Sequence, residues 1–204
     1  MGHQSILNAM TDQYAEALRR FHELLDRARQ SPLREPMAMT LATADAQGRP
    51  SARTVLLKQA DARGFVFYGN LDSRKGQQLA ANPRAALCLF WQPLMEQVLV
   101  EGAVEPVADG EADAYWATRD RESQIGAWAS LQSRPLDSRR TLEARLAQYA
   151  QQYAGRAVPR PPRWSGFRVT PDRIEFWSSR PHRLHERVLY QKEGADWRVT
   201  LLYP

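Results

Sequence analysis

Between residues 37 and 107 the chain alternates short apolar, β-branched and aromatic runs with turn formers, and this spacing constrains the fold more than any other feature. Residues 37–44 and 51–58 flank Asp45-Ala-Gln-Gly48-Arg-Pro50, whose residue types make turns. Residues 64–68 read as a short aromatic strand. Residues 84–91 and 97–107 read as two more, joined around Pro93. A short helix over 73–81 stops at Asn82-Pro83. Upstream, Tyr14, Leu18, Phe21 and Leu25 recur at helical spacing, so 11–30 reads as an amphipathic helix ended by Pro32 and Pro36. The first nine residues carry no clear pattern, which leaves Met10 as an alternative start. Helices return at 110–121 and 137–153, a proline-stiffened connector spans 159–162, and strands are expected at 167–170, 173–177, 187–191 and 197–202. Many short antiparallel strands with a few inserted helices give an α+β protein built around a barrel. At 204 residues, with no repeat and no internal boundary, the chain reads as one compact domain.

Composition narrows the function classes. With 43% hydrophobic and 25% charged residues the chain has the make-up of a soluble globular protein. No apolar run is long enough to span a membrane, and no basic segment followed by an apolar core marks a secretory signal. The single cysteine, Cys88, excludes an internal disulfide and lies in an apolar run where burial and inertness are expected. The cytoplasm is the natural compartment for such a chain. The net charge of +5 raises the question of a polyanionic partner. The cations are nearly all arginine, however, and no basic run is interleaved with aromatics, so nucleic acid fits poorly.

Several stretches make a shared demand for an anion. In Asp72-Ser73-Arg74-Lys75-Gly76 a good N-cap is followed by two cations, the wrong sign for a helix N-terminus. A phosphate held by backbone N–H groups and both cations removes the conflict; two solvated side chains would also account for it. Arg53-Thr54-Val55-Leu56-Leu57-Lys58 places cations five positions apart, on opposite faces of a regular strand unless one lies at a bulge or strand end. Tyr115, Arg119 and Ser123 fall at i, i+4 and i+8 and form one stripe if the helix persists, a grip for a second phosphate. If 183–190 is a strand, Arg183, His185 and Arg187 share one face, opposite Leu184. That face suits an anionic, planar ligand, although a solvated edge strand would look the same. Gln97, Gln132 and Ser133 offer neutral hydrogen-bonding groups, and Trp177 either stacks on a ring or fills the core. Glycine-rich nucleotide loops, zinc-like Cys/His spacing and a nucleophile elbow are absent from the sequence, so no metal is expected. Anion grips without a nucleophile point to a phosphorylated cofactor that carries the chemistry.

Together RTVLLK (53–58), FYGNLDSRKG (67–76), EQVLVEG (96–102), RDRESQIGAWASLQS (119–133) and IEFWSSRPHRLHERVLY (174–190) resemble the pyridoxine/pyridoxamine 5'-phosphate oxidase family. SRKG alone is weak, whereas SQIGAW followed by RLHER is specific. The resemblance implies an FMN-binding split β-barrel over 36–204 with flanking helices, preceded by a helical segment over 1–35 with freedom to move. It implies a homodimer with FMN at the subunit interface. It further implies oxidation of pyridoxine 5'-phosphate or pyridoxamine 5'-phosphate to pyridoxal 5'-phosphate, with O2 as acceptor. Carried over by motif, Arg53 to Lys58, Tyr68, Gly69, Arg74, Lys75, Gln97, Gln132, Ser133, Trp177 and Arg187 hold FMN. Lys58, Tyr115, Arg119, Ser123, Arg183, Leu184 and His185 hold the substrate, with Arg183 and His185 against its ring as the catalytic pair. Two departures stand out. Gly69 occupies a position where the family often has Thr, and the family's N-terminal Arg/Tyr stretch ending in Gly-Leu is not found in residues 1–35. A related oxidase of another ring, such as a phenazine precursor, and a non-catalytic pyridoxal phosphate or flavin carrier are the alternatives.

Overall fold

The computed structural model describes residues 12–204. The expected helix start at residue 11 and the alternative start at Met10 lie outside them. Helix α1 (Asp12–Arg29) buries Tyr14, Ala17, Leu18, Phe21, Leu24, Leu25 and Ala28, the stripe that its spacing predicts. Phe21 meets Phe65 edge-on at 5.0 Å, Tyr14 stacks on Trp197 at 4.9 Å, and the Arg20 guanidinium covers the Phe176 ring at 4.5 Å. The helix thereby closes one opening of the barrel core.

Among the described residues nine antiparallel strands form one curled sheet: β1 (Ala38–Ala44), β2 (Pro50–Leu56), β3 (Gln59–Asp61), β4 (Gly64–Asn70), β5 (Arg84–Trp91), β6 (Glu96–Pro106), β7 (Trp164–Ser178), β8 (Glu186–Glu193) and β9 (Asp196–Leu202). The path runs β2-β1-β5-β6-β7-β4-β3, and β8 joins β7 to β9. Alternation sets the core: Leu87, Leu89, Val98, Val100, Ile174 and Phe176 point inward and are fully buried. The two strands expected at 167–170 and 173–177 are one strand, β7, and β3 is an addition to the expected set. Strand β7 pairs with β6 along one edge, while its other edge is shared by β4 and then β8. Its pairing with β6 shifts register at Glu101/Gly102, opposite Pro171. Proline supplies no ladder N–H, and a Cβ on Gly102 would lie 2.1 Å from the Thr170 carbonyl oxygen, so the chains approach there only because residue 102 has no side chain.

The remaining helices are α2 (Arg74–Ala81), α3 (Asp109–Ala117), α4 (Arg121–Ala129) and α5 (Arg139–Gln152). The continuous helix expected over 110–121 is broken. Thr118 Oγ1 donates to the Tyr115 carbonyl, and the Asp120 carboxylate accepts from the Ser123 N–H, ending α3 and starting α4. Trp116, Ile125, Tyr153, Val158 and Trp164 form a second, smaller core beneath these helices. The proline connector is pinned there: Trp116 Nε1 donates to the Val158 carbonyl and Trp128 Nε1 to that of Pro159, both at 2.8 Å. Cys88 is half-buried rather than sealed in the core, because it faces outward from β5 toward Gln97. No helix among the described residues is long and apolar enough to cross a membrane.

Candidate active site

A cleft of about 790 Å³ opens between β2, β4, the start of α2, the α3–α4 junction and the loop after α4. It is lined by Arg53, Thr54, Val55, Leu56, Lys58, Tyr68, Gly69, Arg74, Lys75, Tyr115, Arg119, Ser123, Gln132 and Ser133, all expected from the sequence. Leu57 is the exception within its run: it lies just beyond the end of β2, and its side chain is fully buried in the barrel core. Strand β2 ends at Leu56, so Lys58 lies beyond the regular strand and reaches the cleft that Arg53 also faces.

Ser73 is the N-cap of α2, and its hydroxyl accepts from the Gly76 N–H at 3.3 Å. The first turn contains no acid. Lys75 is only 8% exposed, and its Nζ donates to Ser73 Oγ (3.0 Å) and Gln132 Oε1 (2.7 Å). Burial, reinforced by the nearby Arg53 charge, pushes its ammonium down to about 8. A Cβ on Gly69 would stand 2.8 Å from Lys75 Cε, so the missing side chain is the space that Lys75 occupies. Arg53 donates to Thr43 Oγ1 (2.6 Å), Ser51 Oγ (2.5 Å) and the Leu41 carbonyl (3.2 Å). The buried Gln78 Oε1 draws Thr43, Ser51 and Arg53 together. Burial, then the charge of Arg74, lowers the Arg53 pKa. This neutral network of Thr43, Ser51 and Gln78 had no recognisable sequence signal, since single Ser, Thr and Gln residues occur throughout any chain.

The other end of the cleft is aromatic. Tyr68 and Tyr115 stack at 3.9 Å, with Trp164 behind them. Arg119 lies over the Trp164 ring at 4.9 Å and donates to the Ser123 carbonyl at 3.1 Å, while its buried Nε has no partner. Burial lowers its pKa. The helix break therefore keeps Tyr115, Arg119 and Ser123 together instead of scattering them. Some arginines elsewhere, including Arg63, Arg84, Arg160, Arg163, Arg168 and Arg187, have carboxylate partners, whereas others, such as Arg20, Arg121 and Arg145, meet an aromatic ring or backbone carbonyls and have no carboxylate partner. Among the described residues Arg53, Lys58, Arg74, Lys75 and Arg119 have none.

The other expected residues lie outside this cleft. Gln97, Trp177 and Arg187 are Cα partners in consecutive strands, and the Trp177 and His185 rings are 4.7 Å apart. The shared strand face expected for Arg183, His185 and Arg187 does not exist, because β8 begins only at Glu186. Pro181–Arg183 forms a 3-10 turn with His182 and Arg183 at φ of 57° and 62°. Pro181 starts that turn, and the left-handed pair then reverses the chain before β8. His185 Nδ1 accepts from the Arg180 N–H at 3.2 Å, which leaves Nε2 to carry the ring proton in the neutral form. Leu184 is exposed, and Trp177 is half-buried on the outer face rather than in the core. The described residues contain no cluster of metal-ligating side chains.

Sequence similarity decides the relationship. The family described as pyridoxamine 5'-phosphate oxidase matches residues 25–153, and a pyridoxine 5'-phosphate oxidase C-terminal dimerisation region matches 164–204. This chain belongs to the pyridoxamine 5'-phosphate oxidase family. The pyridoxine/pyridoxamine 5'-phosphate oxidase of Myxococcus xanthus (strain DK1622) is 60% identical over 189 residues, covering 93% of this chain and 92% of that protein. PhzG from Burkholderia lata 383, solved in complex with tetrahydrophenazine-1-carboxylic acid, superposes with a TM-score of 0.85 at 36% identity, over 93% of this chain and 92% of its own. A pyridoxamine 5'-phosphate oxidase-related, FMN-binding protein from Nostoc punctiforme PCC 73102 has a TM-score of 0.74 at 17% identity, over 91% and 96% of the two chains, and so shares the fold. The family's split barrel is thus the curled sheet described above.

Proposed function

We propose that this protein oxidises pyridoxine 5'-phosphate or pyridoxamine 5'-phosphate to pyridoxal 5'-phosphate, with FMN as cofactor and O2 as the final electron acceptor. The observation that carries the reading is the set of cleft cations without carboxylate partners, divided between two ends of one cleft. Two phosphorylated molecules would supply the missing anions. The site fits FMN: Arg53, Arg74, Lys75 and the α2 N-terminus form one phosphate cradle, and Gly69 leaves Lys75 room to reach it. Lys58, Tyr115, Arg119 and Ser123 form the second cradle, two cations and two hydroxyls of the kind that bind a phosphate.

FMN held by Arg53, Arg74 and Lys75 would supply the redox chemistry, a two-electron oxidation of the substrate carbon bearing the alcohol or amine with O2 reduced to hydrogen peroxide. The chain's own residues bind and orient. Gripping the substrate phosphate at one end fixes the distance from that anchor to the reacting carbon, which is where orientation contributes most to rate. Arg183 and His185 would meet the substrate ring, with Arg183 donating to its polar substituents. The amine substrate would leave through an imine that water hydrolyses, releasing ammonia.

Gln97, Trp177, Arg183, His185 and Arg187 lie away from the cleft of their own chain, so the site would be completed by a second copy. In this homodimer the β7–β8 face of one protomer covers the cleft of its partner, with FMN between them. The match of residues 164–204 to a dimerisation region supports this arrangement. The likeness to PhzG supports a second reading, a phenazine-type ring as substrate; the second phosphate cradle favours the phosphorylated one. Mixing FMN-loaded protein with pyridoxine 5'-phosphate without oxygen tests the proposal. Flavin absorbance should bleach and recover in air. Absorbance unchanged by either this substrate or pyridoxamine 5'-phosphate would reject the oxidase reading and leave the carrier or other-ring alternatives.

A further inference from the structure

Glu175 is a buried carboxylate to which the mechanism above gives no role. It sits on β7 with its side chain on the face opposite Ile174 and Phe176, yet it is only 4% exposed. Its Oε1 accepts from Arg187 Nε at 2.7 Å, and its Oε2 lies at a looser 3.4 Å from Arg173 Nη2. Arg173 is also drawn toward Glu101 at 3.5 Å. Arg187 is therefore the principal counter-charge of Glu175. A carboxylate this deep is tolerated only when paired, and loss of Arg187, whose own side chain is 32% exposed, would strand the buried Glu175 charge.

The geometry constrains Arg187 in turn. Its Nε is taken by Glu175, its Nη1 donates to the Tyr203 carbonyl at 3.1 Å, and its Nη2 has no partner among the described residues. Two fixed contacts define the plane of a planar group, so the direction of the remaining Nη2 edge is set in advance. Trp177 is the Cα partner of Arg187 and stands two residues from Glu175 on the same face of β7. We infer that Glu175 is a positioning residue: it holds the Arg187 guanidinium so that its open Nη2 edge meets an acceptor on FMN, and its negative charge makes Arg187 a hydrogen-bond donor instead of an uncompensated cation beside the flavin. This inference rests on the FMN reading above.

The test titrates FMN into apo-protein prepared from wild type, Glu175→Gln, Arg187→Ala and the double variant, and measures the reduction potential of each loaded protein. Glu175→Gln should weaken FMN about tenfold. It should also raise the flavin potential, because the charge of Arg187 is no longer balanced. The double variant should bind FMN no worse than Arg187→Ala alone and should lose the potential rise. Glu175→Asp keeps the charge on a shorter arm, so it should bind FMN with intermediate affinity at the wild-type potential, and it remains informative if Glu175→Gln folds poorly. Equal losses in both backgrounds with an unmoved potential would show that Glu175 merely supports the fold and would overturn the inference. Wild-type protein that fails to bind FMN would instead remove the cofactor reading, and this inference with it.

Discussion

Lys75 is buried at a cost to the apo-protein that its proposed phosphate-binding role would explain, and that conflict can be measured. Its ammonium is pushed down from 10.5 to about 8 because it is buried beside Arg53 with only neutral oxygens as partners. The unfolded chain, where the lysine is unperturbed, therefore binds a proton more tightly than the folded one. Stability from this group rises with pH through the window between about 8 and 10.5, by about 1.4 kcal/mol per unit and about 3 kcal/mol in all. Lys75→Met keeps the volume and removes the charge. At pH 7 the variant escapes that cost but loses hydrogen bonds to Ser73 and Gln132, each contributing about 1 kcal/mol, so apo-protein should gain on the order of 1 kcal/mol. Urea unfolding of both apo-proteins from pH 7 to 10 checks this, since the difference between them cancels the other titrating groups. Wild type should overtake the variant as pH rises. FMN affinity should move the opposite way: the variant should lose at least tenfold at pH 7, and wild-type affinity should fall above pH 8 as the ammonium deprotonates. A stability difference that stays flat with pH, or FMN binding unaffected in Lys75→Met, would refute the argument that a desolvated cation is reserved for a phosphate.

Other consequences follow from single contacts. Arg119→Ala should raise KM for the phosphorylated substrate by ten- to a hundredfold while FMN stays bound, because one charged hydrogen-bond donor to a phosphate contributes about 1.5–3 kcal/mol; an unchanged KM in steady-state peroxide assays would remove Arg119 from the substrate end. Phe21→Ala should destabilise by about 3–5 kcal/mol, since a fully buried ring against Phe65 and Trp91 is deleted; thermal unfolding reads the loss directly. Phe90 is 47% exposed on the outer face of β5, where it is the Cα partner of Gln97. Phe90→Asp should shift the protein to monomer in light scattering and release FMN, and a dimer with full FMN would contradict the interface assignment.

How much of this was legible in the sequence depended on the range of the interaction. The strand series and the amphipathic α1 were readable because a period of two or of 3.6 residues is a local signal, and burial follows it. The N-cap conflict at Ser73-Arg74-Lys75 was readable for the same reason, since cap and charges lie within one turn. The break after Ala117 was missed because Thr118 and Asp120 act through side chain-to-backbone bonds that compete with a plausible helical pattern. The extended face assigned to Arg183, His185 and Arg187 failed because the left-handed pair His182 and Arg183 turns the chain, and although histidine adopts that conformation more often than most residues, arginine gives no such sign. Gln78, Ser51 and Thr43 meet only through tertiary folding, as does Glu175 with Arg187, and no spacing in the chain encodes such meetings.

Strand β7 carries a geometric limit that reaches beyond one protomer. Its Gly166 pairs with Tyr68 at the cleft, and its Trp177 pairs with Arg187, eleven residues further along. At about 3.3 Å per residue those two points stand up to about 36 Å apart, several times the reach of a single side chain. A strand bonded on both edges cannot fold back to bring them together. In the proposed homodimer the unit of activity would then be the pair of chains, each contributing complementary halves to two sites. A mixed dimer with Lys75 disabled in one chain and Arg187 in the other would gather both defects into one site and leave the second whole, so two inactive proteins could together restore half of the activity.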